Sequence, residues 1–173
     1  MRPVALRRLL RTRYPKPGWE YGGQSPSTKY SLPRTERMKL LNLDHVAIAV
    51  HDLDAAIAGY RERYGVKPVY REVVESQGVE EAMLPVGGSF VQLLMPLGPE
   101  TPVGRFLSKN GEGMHHIAFA VSSIETALEH LKAQGARLVD ETPRPGGRGA
   151  RIAFVHPADL TGTLIELVEL GDE

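Results

Sequence analysis

No cysteine occurs among the 173 residues, which removes disulfide bonds, thiolate zinc sites and a cysteine nucleophile together. Any metal would have to be held by histidine, carboxylate or amide groups. No apolar run approaches the roughly 18 residues that a membrane span requires, and no secretory h-region is present. A charge excess of either sign is also missing: 21 basic residues balance 21 acidic ones, leaving no overall field to favour nucleic acid or an anionic membrane surface. Neither kind of partner is expected. An interior without disulfides fits a reducing compartment, so a cytoplasmic location is expected.

What the chain does contain is a duplication. The run Leu43-Asp44-His45-Val46-Ala47-Ile48-Ala49-Val50 aligns without a gap on Met114-His115-His116-Ile117-Ala118-Phe119-Ala120-Val121. Both runs lack helical periodicity and are apolar, so both read as buried strands with a histidine in third place. After each comes a helical pattern. Asp52 can cap a helix with Leu53, Ala56, Ile57 and Tyr60 on its apolar side, stopped by Gly65. Ser122 with Glu125 makes a capping-box pattern ahead of Ile124, Ala127, Leu128 and Leu131, stopped by Gly135. The apolar positions of the two helices match at a constant offset of 71 residues.

Three strand-like runs follow each helix: Lys67 to Val74, Val79 to Leu84 and Phe90 to Met95, then Ala136 to Val139, Arg151 to His156 and Thr163 to Glu169. Each half therefore reads βαβββ, giving one α+β domain over residues 41–173 with modules at about 43–97 and 113–170. The linker, residues 98–112, holds a short helix opened by Thr101-Pro102. Residues 1–40 read as a flexible extension. Nine basic side chains through Arg37 face only Glu20 and Glu36, among five prolines and without a sustained period. An Arg-rich transit peptide directing the chain to the mitochondrial matrix, an arm for an acidic partner, and a start of synthesis at Met38 are the alternatives. The prolines weigh against an amphipathic transit helix.

Strand alternation shows which polar side chains share a face with apolar ones. His45 lies between Leu43 and Ala47, Gln92 between Phe90 and Leu94, His116 between Met114 and Ala118, and Glu166 between Leu164 and Val168. A polar group on an apolar face is costly unless paired or coordinated. The first and last strands of each half supply these four, so one shared divalent ion would satisfy all of them. Two nitrogens and two oxygens suit a borderline divalent ion such as cobalt, manganese, nickel or zinc, and magnesium fits two imidazoles poorly. Of the four, cobalt is the expected ion. Taken singly, each residue reads more readily as a hydrogen-bonded core group or a solvated one. His115 falls on the opposite face from His116 and reads as a packing or hydrogen-bonding residue.

The motifs Asp44-His45-Val46-Ala47, Gln77-Gly78-Val79-Glu80-Glu81, Val91 to Leu97, Gly113 to Phe119, Arg151 to Pro157 and Leu164 to Leu167 together resemble the methylmalonyl-CoA epimerase family of the vicinal oxygen chelate superfamily. The resemblance runs from about Leu41 to Leu170. It implies paired βαβββ modules forming a cupped, mostly antiparallel eight-stranded sheet around a metal, with His45, Gln92, His116 and Glu166 as ligands. It further implies Glu81 as the second active-site carboxylate, Glu166 as both ligand and acid/base group, methylmalonyl-CoA as substrate, a homodimer, and a place in propionate metabolism. Alternation separates Glu81 from Glu80 without choosing between them; the choice rests on the family motif. Arg144, Arg148 and Arg151 around Gly146-Gly147 read as a phosphate-binding loop for the acyl carrier or as a solvated turn.

Three rival readings share the architecture. A glyoxalase I-like lyase normally has glutamate where Gln92 stands, and an extradiol dioxygenase needs a His, His, Glu set on redox-active iron. A metal-free small-molecule-binding module would have no reason to keep all four ligand-type residues.

Overall fold

The computed structural model describes residues 38–159 and 161–171. The extension, apart from its last residues, lies outside the described residues, and with it the choice among its readings. From Leu40 onward the duplication becomes one curled sheet. The first unit comprises β1 (Leu40–Ala49), α1 (Leu53–Tyr64), β2 (Tyr70–Val74), β3 (Val79–Val86) and β4 (Ser89–Pro96). The linker helix α2 spans Pro102–Asn110. The second unit comprises β5 (Gly113–Val121), α3 (Ile124–Ala133), β6 (Arg144–Pro145), β7 (Arg151–Val155) and β8 (Leu164–Glu169). The strand order is β2-β3-β4-β1-β5-β8-β7-β6. β1 runs parallel to β4 and β5 parallel to β8, while the other neighbours, including the β1/β5 seam between the units, are antiparallel.

Both long helices form where the sequence pattern places them, against one face of the sheet. Asp52 accepts from the Ala55 amide at 2.9 Å, and Gly65 closes α1 at φ 69°. Leu53 packs with Val50, Ala82, Leu84 and Leu93, and Ile124 with Val121, Leu128, Ala153 and Leu167. Full burial of each such aliphatic side chain contributes roughly 2–3 kcal/mol. The opposite face also carries apolar residues: Ala118, Ile152, Phe154 and Val168 in the second unit, and Ala47, Val79 and Leu94 with Val103 and Leu107 of α2 in the first.

Three local expectations are corrected. The cap of α3 is Ser123, whose hydroxyl accepts from the Thr126 amide at 3.2 Å; Ser122 is exposed one residue earlier. The strand expected directly after α3 does not form over Ala136 to Val139. That stretch pairs with the sheet through one isolated Leu138–Val155 bridge rather than a ladder, and the edge strand is the two-residue β6. Asp140 accepts from the Phe154 amide at 2.9 Å and from Arg144 Nε at 3.1 Å, which turns the chain, and the prolines at 143 and 145 cannot donate to a ladder. In the first unit β2 begins at Tyr70 rather than Lys67, after Pro68.

Candidate metal centre and active site

The strand order places the singled-out residues side by side: Glu81 on β3, Gln92 on β4, His45 on β1, His116 on β5 and Glu166 on β8. Register then makes two rows. Gln92 and His116 both pair with Ala47, and Glu166 and His45 both pair with Ala118. The two rows are equivalent under the duplication. Ala47 and Ala118 are fully buried, and their single methyl groups leave room for the flanking longer side chains to lean together.

His45 Nε2 lies 3.1 Å from His116 Nε2 and 3.0 Å from Glu166 Oε2, and His116 Nε2 lies 3.3 Å from the same oxygen. All three residues are buried. A divalent cation with bonds of ~2.1 Å separates adjacent donors by ~3.0 Å in octahedral and ~3.4 Å in tetrahedral geometry. The observed separations fall in that interval. Gln92 Nε2 donates to Glu81 Oε2 at 2.7 Å, while the buried Gln92 Oε1 has no hydrogen-bond partner among the described residues. This amide oxygen belongs to a residue lining the same cavity as the two imidazoles and the carboxylate, and nitrogen and oxygen donors of these kinds fit a divalent metal.

The electrostatics also favour positive charge here. Burial works against a charged His45, but hydrogen bonds to Asp44 and Glu166 outweigh it and push the imidazole up to about 9. Burial likewise opposes ionisation of Glu166, yet His116 and His45 hold its carboxyl below the usual range. Glu81 behaves oppositely: burial, reinforced by the Glu72 carboxylate, pushes it up to about 7. Its Oε1 is buried without a hydrogen-bond partner among the described residues.

A cavity of about 330 Å³ opens onto His45, Glu81, Gln92, His116 and Glu166 together. Glu80, which alternation could not separate by role from Glu81, turns to the other face and accepts from Arg71 Nε at 2.7 Å; Arg71 also reaches Asp54. The three arginines of the basic loop take different partners. Arg151 is exposed and pairs with Glu125 and Glu169. Arg144 lines the cavity with its guanidinium 5.2 Å from the Phe154 ring centre. Arg148 is the one drawn in, bonding through Nη2 to Asp44 while its amide donates to Glu72 Oε1 at 2.5 Å. It does so at φ 57°, a left-handed conformation that costs a non-glycine residue about 1 kcal/mol.

Two residues contact the ligand-type histidines that follow them, which strand alternation does not predict. Asp44 accepts from His45 Nδ1 at 2.7 Å, and His115 Nδ1 lies 2.9 Å from His116 Nδ1. Simple alternation turns each of them away. The signal available in the sequence was their equivalence, since both directly precede a repeated histidine.

A model of the glyoxalase/bleomycin resistance protein/dioxygenase superfamily matches residues 44–154. The ethylmalonyl-CoA/methylmalonyl-CoA epimerase of Cereibacter sphaeroides is 38% identical over 130 residues, covering 74% of this chain and 97% of that protein. The chain belongs to the methylmalonyl-CoA epimerase family. Within that family, a Streptomyces coelicolor methylmalonyl-CoA epimerase variant in complex with 2-nitronate-propionyl-CoA superposes with a TM-score of 0.73 at 44% identity, covering 76% of this chain and 95% of that one. A family member in complex with methylmalonyl-CoA and NH4+ gives the same TM-score, identity and coverage. Among the described residues, no helix is long and apolar enough to cross a membrane.

Proposed function

We propose that this chain is a divalent-metal-dependent epimerase interconverting the (R) and (S) forms of methylmalonyl-CoA. The observation that carries this reading is one cavity lined both by the His45, His116, Glu166 cluster and by Glu81, a separate buried carboxyl held by the Gln92 amide. Inverting a carbon beside a thioester requires a group that removes a proton and another that returns one to the opposite face. The intermediate is an enolate. A cation held by His45, Gln92, His116 and Glu166 would supply positive charge where the thioester oxygen turns negative.

Glu81 suits proton transfer at working pH because burial brings its carboxyl to about 7. The Gln92 amide fixes its Oε2 and so aims the carboxyl. Glu166 is assigned the other acid/base role. As a buried carboxylate opposed to both histidines it is a weak base, suited to an α-carbon already acidified by the thioester. Keeping Gln92 neutral leaves the donor set with one carboxylate, so a divalent ion retains net positive charge toward the substrate. The donor chemistry of this set admits cobalt, manganese, nickel or zinc, and cobalt is the ion proposed.

The test is loss of α-deuterium from methylmalonyl-CoA, followed with chelator-stripped and Co²⁺-reloaded protein. Exchange is expected in the reloaded sample, absent from the stripped one, and slowed at least ~100-fold by Glu81→Gln. Equal exchange with and without metal, or an unaffected Glu81→Gln protein, would overturn the reading.

A further inference from the structure

Asp44 and His115 occupy equivalent places in the two units, 71 residues apart, each immediately before a ligand-type histidine. Neighbouring residues in a regular strand point to opposite faces, yet each of these contacts the histidine that follows it. The register across the β1/β5 seam explains how. Leu43 pairs with Phe119 and His45 with Ala118, so Asp44 is an extra residue in β1. Ala47 pairs with His116 and Ile48 with Met114, so His115 is an extra residue in β5. Each is therefore the extra residue of a β-bulge, a device that re-aims a side chain, and the two bulges are related by the duplication.

We propose that Asp44 and His115 are a matched pair of positioning residues that fix His45 and His116 in the Nδ1–H form, leaving both Nε2 lone pairs directed at a shared cation. The inference rests on the metal reading of the site and deepens it. Asp44 at 2.7 Å from His45 Nδ1 only accepts, so His45 keeps the proton there, and Nε2 is the nitrogen that gives up its proton to a cation. The Nδ1 to Nδ1 contact of 2.9 Å between His116 and His115 needs one donor and one acceptor. With His116 presenting Nε2 to the cluster, His116 donates and His115 accepts. His115 is itself held edge-on by Phe106, with ring centres 4.9 Å apart. Arg148 of the second unit reaches across to Asp44 of the first, so the carboxylate is braced by the opposite unit. The two orienting groups differ: a carboxylate braced by a guanidinium supports His45, and an imidazole supports His116. Carboxylate acceptors make the stronger hydrogen bond, so His45 is the more tightly held ligand.

The test uses the full chain stripped with chelator and titrated with Co²⁺ alone, followed by visible absorption. Loss of an outer partner of a metal-ligating histidine weakens metal binding by ~10–100-fold. That loss is expected for Asp44→Ala, a smaller one for Asp44→Asn, and about tenfold for His115→Phe, which keeps the ring packing and lacks the acceptor. Arg148→Met should weaken binding and Arg148→Lys should restore part of it. In zinc-loaded protein with ¹⁵N-labelled histidine, two slowly exchanging Nδ1–H signals are expected. Asp44→Asn should perturb one and His115→Phe should remove the other, a result that generalised loosening of the fold would not produce. If the parent binds Co²⁺ and both Asp44→Asn and His115→Phe bind it within twofold of the parent with unchanged imidazole signals, the positioning role is wrong while the metal site stands. A parent that takes up no Co²⁺ removes the metal reading and this inference with it.

Discussion

Gln92 donates its side-chain amide to Glu81 at 2.7 Å, from one strand to the next on the same face of the sheet. A carboxylate only accepts, so this contact also decides which way the amide faces and leaves its oxygen for another partner. A single hydrogen bond thus ties the candidate fourth ligand to the candidate proton-transfer group. Gln92→Glu would place two carboxylates within hydrogen-bond distance, where they share a proton rather than both ionise. The expected outcome is a kcat lower by at least tenfold with Co²⁺ affinity changed only a few-fold. Steady-state kinetics beside metal titration checks this, and equal activity at full occupancy would show that a neutral residue is not required.

Glu81 gives a pH signature of its own. Its carboxyl is raised from 4.5 to about 7 in the folded chain, so folding favours its protonated form. That contribution is fully present below about pH 4.5 and is lost as pH rises to about 7, beyond which it stays flat. The full difference is up to roughly 3 kcal/mol. In metal-free protein, Glu81→Gln should flatten the stability profile between those limits relative to the parent. Urea denaturation at half-unit pH steps measures it. Parallel profiles for the two proteins would contradict a raised carboxyl.

The alanines between the facing donors are predicted to be there for their size. Ala118 is fully buried and pairs with both His45 and Glu166. Adding two methyl groups by Ala118→Val overpacks this point and should destabilise the fold by about 1–3 kcal/mol. Because the strain falls between two donors, Co²⁺ affinity should fall as well. A thermal melt and a metal titration on the same sample report the two effects, and unchanged metal affinity would mean that the donors have more freedom than the register implies.

For α3, Ser123→Ala should cost about 1 kcal/mol, since it removes the hydroxyl that satisfies the Thr126 amide. Ser122→Ala, at an exposed neighbour, should fall within ±0.5 kcal/mol. Chemical denaturation of the two variants separates them, and the reverse ranking would move the cap back to the earlier serine.

The duplicated runs make the architecture legible in the sequence, because period-two alternation and a constant offset survive there. His45, Gln92, His116 and Glu166 became visible for the same reason: each is polar on an otherwise apolar face, and the sheet brings all four to one cavity. Alternation failed where the backbone stops alternating. Asp44 and His115 sit at bulges created by pairing with the other unit, and no local pattern encodes which residue a distant strand will skip. The edge at Arg144–Pro145 was missed because Asp140 redirects the chain through contacts with Phe154 and Arg144. Arg148 was singled out for its charge, but its inward path depends on a left-handed backbone that the sequence does not announce at a non-glycine position.

The antiparallel join of β1 to β5 makes the donor cluster a property of the pair of units. His45 and Glu166 meet at 3.0 Å although 121 positions separate them in the chain, and they come from different units. Any slippage along that seam parts every cross-unit contact at once. An ion seated there would therefore act as a rivet, so metal loading should raise the thermal midpoint and slow amide exchange most strongly along β1 and β5.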